Sequence, residues 1–246
     1  MNKINITNED NMKLMARYPD NYFDLAIVDP PYGIGADKGQ NAAAESRKKA
    51  NGKSKAGRWW KEYKITNWDN AIPNEFYFKE LFRVSKDQII WGGNYFPFIW
   101  NYSNSFIIWD KGQRDFSLAD GELAWYSKNK KAMRTFDFSR GGALADNNKN
   151  GGRFHPTQKP VKLYEWLLMN YAQKKCIHKH RESERYLCTD CRNSDVKILD
   201  THLGSGSIAI ACHNLGFDLT ACELDTDYYN AATKRLKQHQ AQQTLF

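Results

Sequence analysis

The apolar run Leu25-Ala26-Ile27-Val28 stops at Asp29-Pro30-Pro31-Tyr32 and leads into Gly33. A short buried strand ending in an acid, two prolines and an aromatic ring belongs at the carboxyl edge of an open α/β sheet, where such sheets bind their ligands. Two prolines in succession fix φ and remove two backbone donors. The carbonyls there are left to accept hydrogen bonds from something else, and a flat amino group on a nucleobase fits that need. The simpler alternative is a strand closed by a Pro-Pro turn with a surface tyrosine.

The rest of the chain alternates strands and helices. Strands are expected at residues 4–7, 25–28, 88–91, 105–109, 122–126, 196–199 and 219–222, with helices at 11–18, 76–84, 161–171, 207–214 and 227–238. Two stretches break the pattern. Residues 36–73 carry nine Lys/Arg against four acids and read as a long basic loop, and residues 140–154, rich in Gly and Asn, read as a short irregular recognition or connecting loop. With 246 residues the chain suits one α/β domain with insertions. The net charge of +8 points to a polyanionic partner, with nucleic acid the first choice. No apolar run reaches the length of a membrane span and the amino terminus lacks the apolar stretch of a signal peptide, so a cytoplasmic protein with no membrane association is expected. Five cysteines in a reducing compartment argue against a disulfide framework.

A second motif sits near the other end. In Asp200-Thr201-His202-Leu203-Gly204-Ser205-Gly206-Ser207 an apolar strand ends in an acid and a Gly-x-Gly turn, and a helix follows at once. Glycines let the backbone approach a ligand, and free amides at a helix start favour negative charge. Glu223 ends the next strand about twenty residues on, a spacing that suits a carboxylate accepting from the hydroxyls of a ribose.

Asp29-Pro30-Pro31-Tyr32, the segment His155-Pro156-Thr157-Gln158-Lys159-Pro160 and the Asp200 to Ser207 turn together resemble the amino-directed DNA methyltransferases of the N-4/N-6 family, in the permuted order called the beta class. Ile90-Trp91-Gly92-Gly93-Asn94-Tyr95-Phe96 is similar to stretches of prophage-type members. The resemblance spans most of the chain. It implies a Rossmann-like, circularly permuted, S-adenosylmethionine-dependent α/β fold, with a seven-stranded, mainly parallel sheet and an antiparallel terminal hairpin.

The same resemblance implies roles. Asp29 and the carbonyl of Pro30 accept from the two protons of a target amine, Pro31 completes the turn, and Tyr32 stacks on a base extruded from the duplex. Asp200, Gly204, Ser205 and Gly206 wrap the methionine part of the cofactor, Glu223 meets its ribose and Asp10 lies near its adenine. Thr157, Gln158 and Lys159 close over its carboxylate end. His202 stands where the family usually has Phe, and a histidine satisfied beside the turn is the expected effect. An aspartate at the head of the motif favours adenine, with the 4-amino group of cytosine as the alternative.

DNA contacts are expected from the basic loop, where Trp59-Trp60 lies between Arg58 and Lys61, with Lys48 and Lys49 upstream. A solvated charged loop whose tryptophans cap the core is the alternative. The segment 176–195 reads as an insertion. Cys176, His178, Cys188 and Cys191 are candidates for a tetrahedral Cys3His zinc site, although the C-x-H spacing is uncommon, and a polar surface loop with reduced cysteines is the alternative. Cys212 and Cys222 read as core residues. A cognate restriction enzyme is a candidate partner, and monomer and homodimer stay open. Two rivals to DNA amino-methylation are methylation of RNA or a protein amide, and a catalytically silent DNA-binding protein.

Overall fold

The fold was obtained as a computed structural model, which describes residues 2–35, 69–114, 119–129, 132–172 and 195–243. The basic-loop residues Lys48, Lys49, Arg58, Trp59, Trp60 and Lys61 lie outside them, as do Cys176, His178, Cys188 and Cys191.

In chain order the strands are β1 (Ile4–Asn8), β2 (Phe23–Val28), β3 (Ser85–Trp91), β4 (Ser105–Asp110), β5 (Gly121–Tyr126), β6 (Met133–Asp137), β7 (Lys197–Asp200) and β8 (Asp218–Glu223). The helices are α1 (Asn11–Met15), α2 (Glu75–Val84), α3 (Arg140–Lys149), α4 (Val161–Leu167), α5 (Ser207–Leu215) and α6 (Thr226–Gln243). The strands form one sheet in the order β1-β8-β7-β2-β3-β5-β4-β6, with eight strands where the sequence suggests seven. The extra strand is β6, whose alternating exposed and half-buried residues, MRTFD, carry too little apolar signal to stand out. It pairs parallel to β4 at the edge, so the antiparallel β4/β5 hairpin is internal rather than terminal.

From β1 through β3 all pairings are parallel. The chain leaves β2 toward β3 on one side and β7 toward β8 on the other, so the carboxyl ends of β2 and β7 flank a topological switch point. Burial on both faces makes the run at β2 continuous rather than alternating. Leu25 and Ile27 pack in one core with Leu163, Leu167 and Ile208, while Ala26 and Val28 pack in another with Leu14, Phe78 and Leu81.

Local boundaries differ from the sequence expectation where tertiary partners intervene. Helix α1 is only five residues long, begun by Asp10, whose carboxylate accepts from the amides of Met12 and Lys13. The segment read as irregular from residue 140 opens as helix α3, because Ser139 caps it by accepting from Gly142. Its two glycines make a poor helix in isolation, and packing supplies what propensity lacks. The turn after α4 widens to a π-helical turn at Leu168–Ala172. Among the described residues no helix is long and apolar enough to cross a membrane.

Candidate active site

A cleft of about 1650 Å³ opens over the switch point. Asp29, Pro30, Pro31 and Tyr32 line it from the end of β2, and His202, Gly204, Ser205 and Glu223 line it from the ends of β7 and β8. Asp10, Thr157, Gln158 and Lys159 complete the wall. Asp200 and Gly206 lie beneath rather than in the lining.

At the β2 end, every group is tied down. The Tyr32 hydroxyl donates to Asp29 Oδ1 at 2.5 Å, and the Lys159 ammonium donates to Oδ2 at 2.5 Å. Burial raises the Tyr32 phenol well above its ordinary value, and the Asp29 carboxylate pushes it the same way, so the phenol stays a donor. Asp69, fully buried, accepts from the amides of Tyr32 and Gly33 at 2.6 and 2.8 Å and fixes the turn from behind. The Tyr32 ring lies against Gly92, where a Cβ would come within 2.1 Å of it, and it stacks on Tyr95 with centroids 5.0 Å apart. Gly92 also has φ of +69°, so both backbone and packing require glycine.

Lys159 is buried, and a second acid, Glu122, lies 3.1 Å from its ammonium. Glu122 in turn meets Lys111 at 2.7 Å. Burial by itself would raise Glu122, but the two ammonium groups outweigh it and hold the carboxyl at about 2. Burial likewise disfavours the Lys159 ammonium, and the Asp29 and Glu122 carboxylates reverse that and raise it. The result is an alternating line of charge, Asp29, Lys159, Glu122, Lys111, that balances itself.

The β7 end is made mostly of backbone. Gly204 and Gly206 have φ of +52° and +71°, and a Cβ on Gly206 would lie 3.1 Å from that of Ala232. Glu223 accepts from the Gly204 amide at 2.8 Å with one oxygen and from the Asp225 amide at 2.9 Å with the other. Burial raises its carboxyl above the ordinary value. Asp200 accepts from the His202 amide at 3.0 Å, and burial lifts its carboxyl to about 8.

His202 is satisfied beside the turn. The Asn11 side-chain amide donates to Nε2 at 3.1 Å, and Thr201 Oγ1 lies 3.0 Å from Nδ1. Burial lowers its imidazole to about 4, so it is neutral at physiological pH. Buried His155 falls further, to about 3, packs at a tilt against Tyr228 and shares Nδ1 with Thr157. Gln158 brackets the segment before it, donating to Asn147 and Gly152 and accepting from Phe154. Glu122, Lys111, Asp69, Gly92 and Tyr95 are site residues that the sequence reading did not single out as such. Gly92 and Tyr95 fall in the Ile90 to Phe96 stretch noted for its resemblance, where no site role was attached to them.

Among the described residues no group of three or more His, Cys, Asp or Glu is placed to hold a metal ion, and the zinc expectation finds no support. Cys212 and Cys222 are buried free thiols.

An open, mainly parallel sheet thus carries a cleft at its switch point, with an acid-Pro-Pro-Tyr strand end on one side and a glycine turn facing it. Residues 135–234 match the N6_N4_Mtase family model, described as DNA methylase. The chain is 24% identical to the Type II methyltransferase M.HpaI of Haemophilus parainfluenzae over 272 residues, covering 92% of this chain and 71% of that protein. Among solved structures it resembles the M1.HpyAVI-SAM complex, with a TM-score of 0.51 and 19% identity over 95% of this chain and 98% of that one. It also resembles the PvuII DNA methyltransferase (cytosine-N4-specific), with a TM-score of 0.53 and 13% identity over 96% and 86%. The solved structures show the shared fold. The likeness to the DNA methylase model falls on residues 135–234, less than half of the chain.

Proposed function

We propose that this protein transfers a methyl group from S-adenosylmethionine to the exocyclic 6-amino group of adenine in DNA, with the base turned out of the duplex. One observation carries the reading: Asp29, Pro30 and Tyr32 line the same cleft as the glycine turn and Glu223. Acceptors for an amine and a wall for a nucleoside donor face one space.

The residues present fit the cofactor. Gly204 and Gly206 keep the turn free of side chains. Asp200 is a buried acid whose charge burial opposes, and a cationic group beside the turn would restore that charge. Glu223, Asp10 and Ser205 line the wall where ribose, adenine and methionine portions would be held. When bound, S-adenosylmethionine supplies a methyl group on a sulfonium, so nitrogen gains the methyl, sulfur loses it and one amine proton is released.

The chain's own residues do the rest. An exocyclic amine has its lone pair delocalised into the ring, and acceptors on its two protons draw it toward tetrahedral geometry. The Asp29 carboxylate and the Pro30 carbonyl supply them, and neither Pro30 nor Pro31 has an amide hydrogen to compete. Carboxylate oxygens have two lone-pair positions each, so Asp29 can hold Tyr32, Lys159 and the amine together. The Tyr32 ring offers the stacking surface for a flipped base. Adenine is favoured by the aspartate at the head of the motif.

The test is incubation of purified protein with mixed-sequence duplex DNA and S-adenosylmethionine, followed by nucleoside mass analysis. Methyl on adenine's amino group is expected. Methyl on cytosine's amino group would move the assignment to that base, and unmodified DNA in the presence of bound donor would refute the reading.

A further inference from the structure

Lys159 has three ammonium hydrogens and three partners. Asp29 Oδ2 lies at 2.5 Å, Glu122 Oε2 at 3.1 Å and the Tyr32 hydroxyl at 3.4 Å. Its side chain is 2% exposed. No hydrogen is left for the carboxylate of a methyl donor. We infer that Lys159 is a positioning residue for the acid Asp29, held in place by Glu122, and that it also ties the catalytic strand end to the cofactor turn. The inference rests on the reading of Asp29 as the acceptor for the target amine.

With the Tyr32 hydroxyl on one oxygen and the Lys159 ammonium on the other, the plane of the Asp29 carboxylate is fixed before any base arrives. The ammonium sets a positive charge 2.5 Å from that carboxylate. The main chain of the same residue reaches the other half of the cleft. Its carbonyl accepts from Ser207 Oγ at 2.7 Å, at the first residue of α5, and Ser207 is held by Arg235, which also donates to the carbonyl of Ser205 in the glycine turn. One residue therefore sets the distance between the acceptor and the turn. Charged and titratable groups around Asp29 are Tyr32 on its own turn, Lys159 before α4, Tyr164 on α4, Glu122 on β5 backed by Lys111, and Asp200 at the end of β7.

The experiment compares K159M, K159R and wild type in steady-state methylation, in calorimetric S-adenosylmethionine binding, and in NMR of the full chain with lysine labelled at Nζ. Methionine keeps the stem and deletes the charge. For K159M, kcat is expected to fall about 100-fold while the donor Kd and the KM for DNA stay within about 3-fold, and K159R should recover about 10-fold of the loss. A slowly exchanging ammonium signal, absent in K159M, should shift in D29N and in E122Q and stay put when donor is added. Where K159M fails to fold because Asp29 and Glu122 lose the ammonium between them, the double variant E122Q/K159M removes one of the two charges and carries the same comparison. Donor binding weakened about 30-fold with kcat intact at saturating donor would overturn the inference. An ammonium signal that ignores D29N would overturn it too. A wild-type protein that leaves DNA unmethylated refutes the functional reading instead, and the NMR comparison still decides what Lys159 holds.

Discussion

The two strand ends that meet at the cleft are built in opposite ways. At β2 the position of each group is set by side chains from distant segments: Asp69, Glu122, Lys159 and Tyr95. At β7 it is set by backbone, through Gly204, Gly206 and the amides that Glu223 and Asp200 accept from. The first arrangement balances charge and holds the Glu122 carboxyl below the ordinary carboxylate range. The second buries acids more deeply than the amides and the Lys159 charge offset and leaves them raised, as sites for a group that brings positive charge or hydroxyls. An acceptor that must be ready before the substrate arrives suits the first design, and a wall completed by its ligand suits the second.

The largest expected effect breaks the β2 end. Asp29→Ala should lower methyl transfer by about 10³-fold or more, with the donor still bound within about 3-fold, because the deleted carboxylate serves the amine and not the donor. Equal activity would remove Asp29 from its assigned role. Next comes the glycine beneath Tyr32. Gly92→Ala places a Cβ 2.1 Å from the Tyr32 ring at a φ of +69°. It should cost about 2–4 kcal/mol in chemical denaturation and move Tyr32 off its stack. Gly35→Ala, at a similar φ of +67° with nothing within 4 Å, should cost only about 1 kcal/mol.

The β7 end is sharpened by pH. The folded state holds Asp200 at about 8 against an ordinary 3.8, so it binds a proton that the unfolded chain releases between those values. That contribution to stability is fully present below 3.8 and is lost as pH rises through about 8. Denaturation of wild type and Asp200→Asn across pH 4 to 8 should show the wild type losing stability relative to the variant as pH rises. A constant difference would mean the acid is already ionised in the folded protein. The smallest effect is at His202, neutral and satisfied by Asn11 and Thr201. His202→Phe should change donor affinity by less than about 5-fold, since it gives up the ring's hydrogen bonds to Asn11, Thr201 and Tyr77 and keeps the edge contact with the Tyr77 ring.

The β2 strand, the glycine turn and the acids that end β7 and β8 were legible because each is a local pattern: an apolar run, then a residue that stops it. Asp69 and Glu122 were not. Each is one acid in a polar stretch, and each gains meaning only from a partner 37 residues away in one case and across the sheet at Lys159 in the other. Helix α3 was hidden by Gly141 and Gly142, which argue against helix locally and are overridden by the Ser139 cap and by the packing of Ala143.

What the sequence determined by itself was the order of elements and the identity of the groups at the two strand ends, because hydrophobic period and glycine chemistry act over a few residues. It took the folded sheet to show that β2 and β7 are neighbours, that β6 adds an eighth strand, and that the Lys159 side chain reaches Asp29. The reason is physical: a buried ammonium is stable only where carboxylates converge on it, and convergence of Asp29, Glu122 and Lys159 is a property of the folded sheet, with no trace in their spacing along the chain.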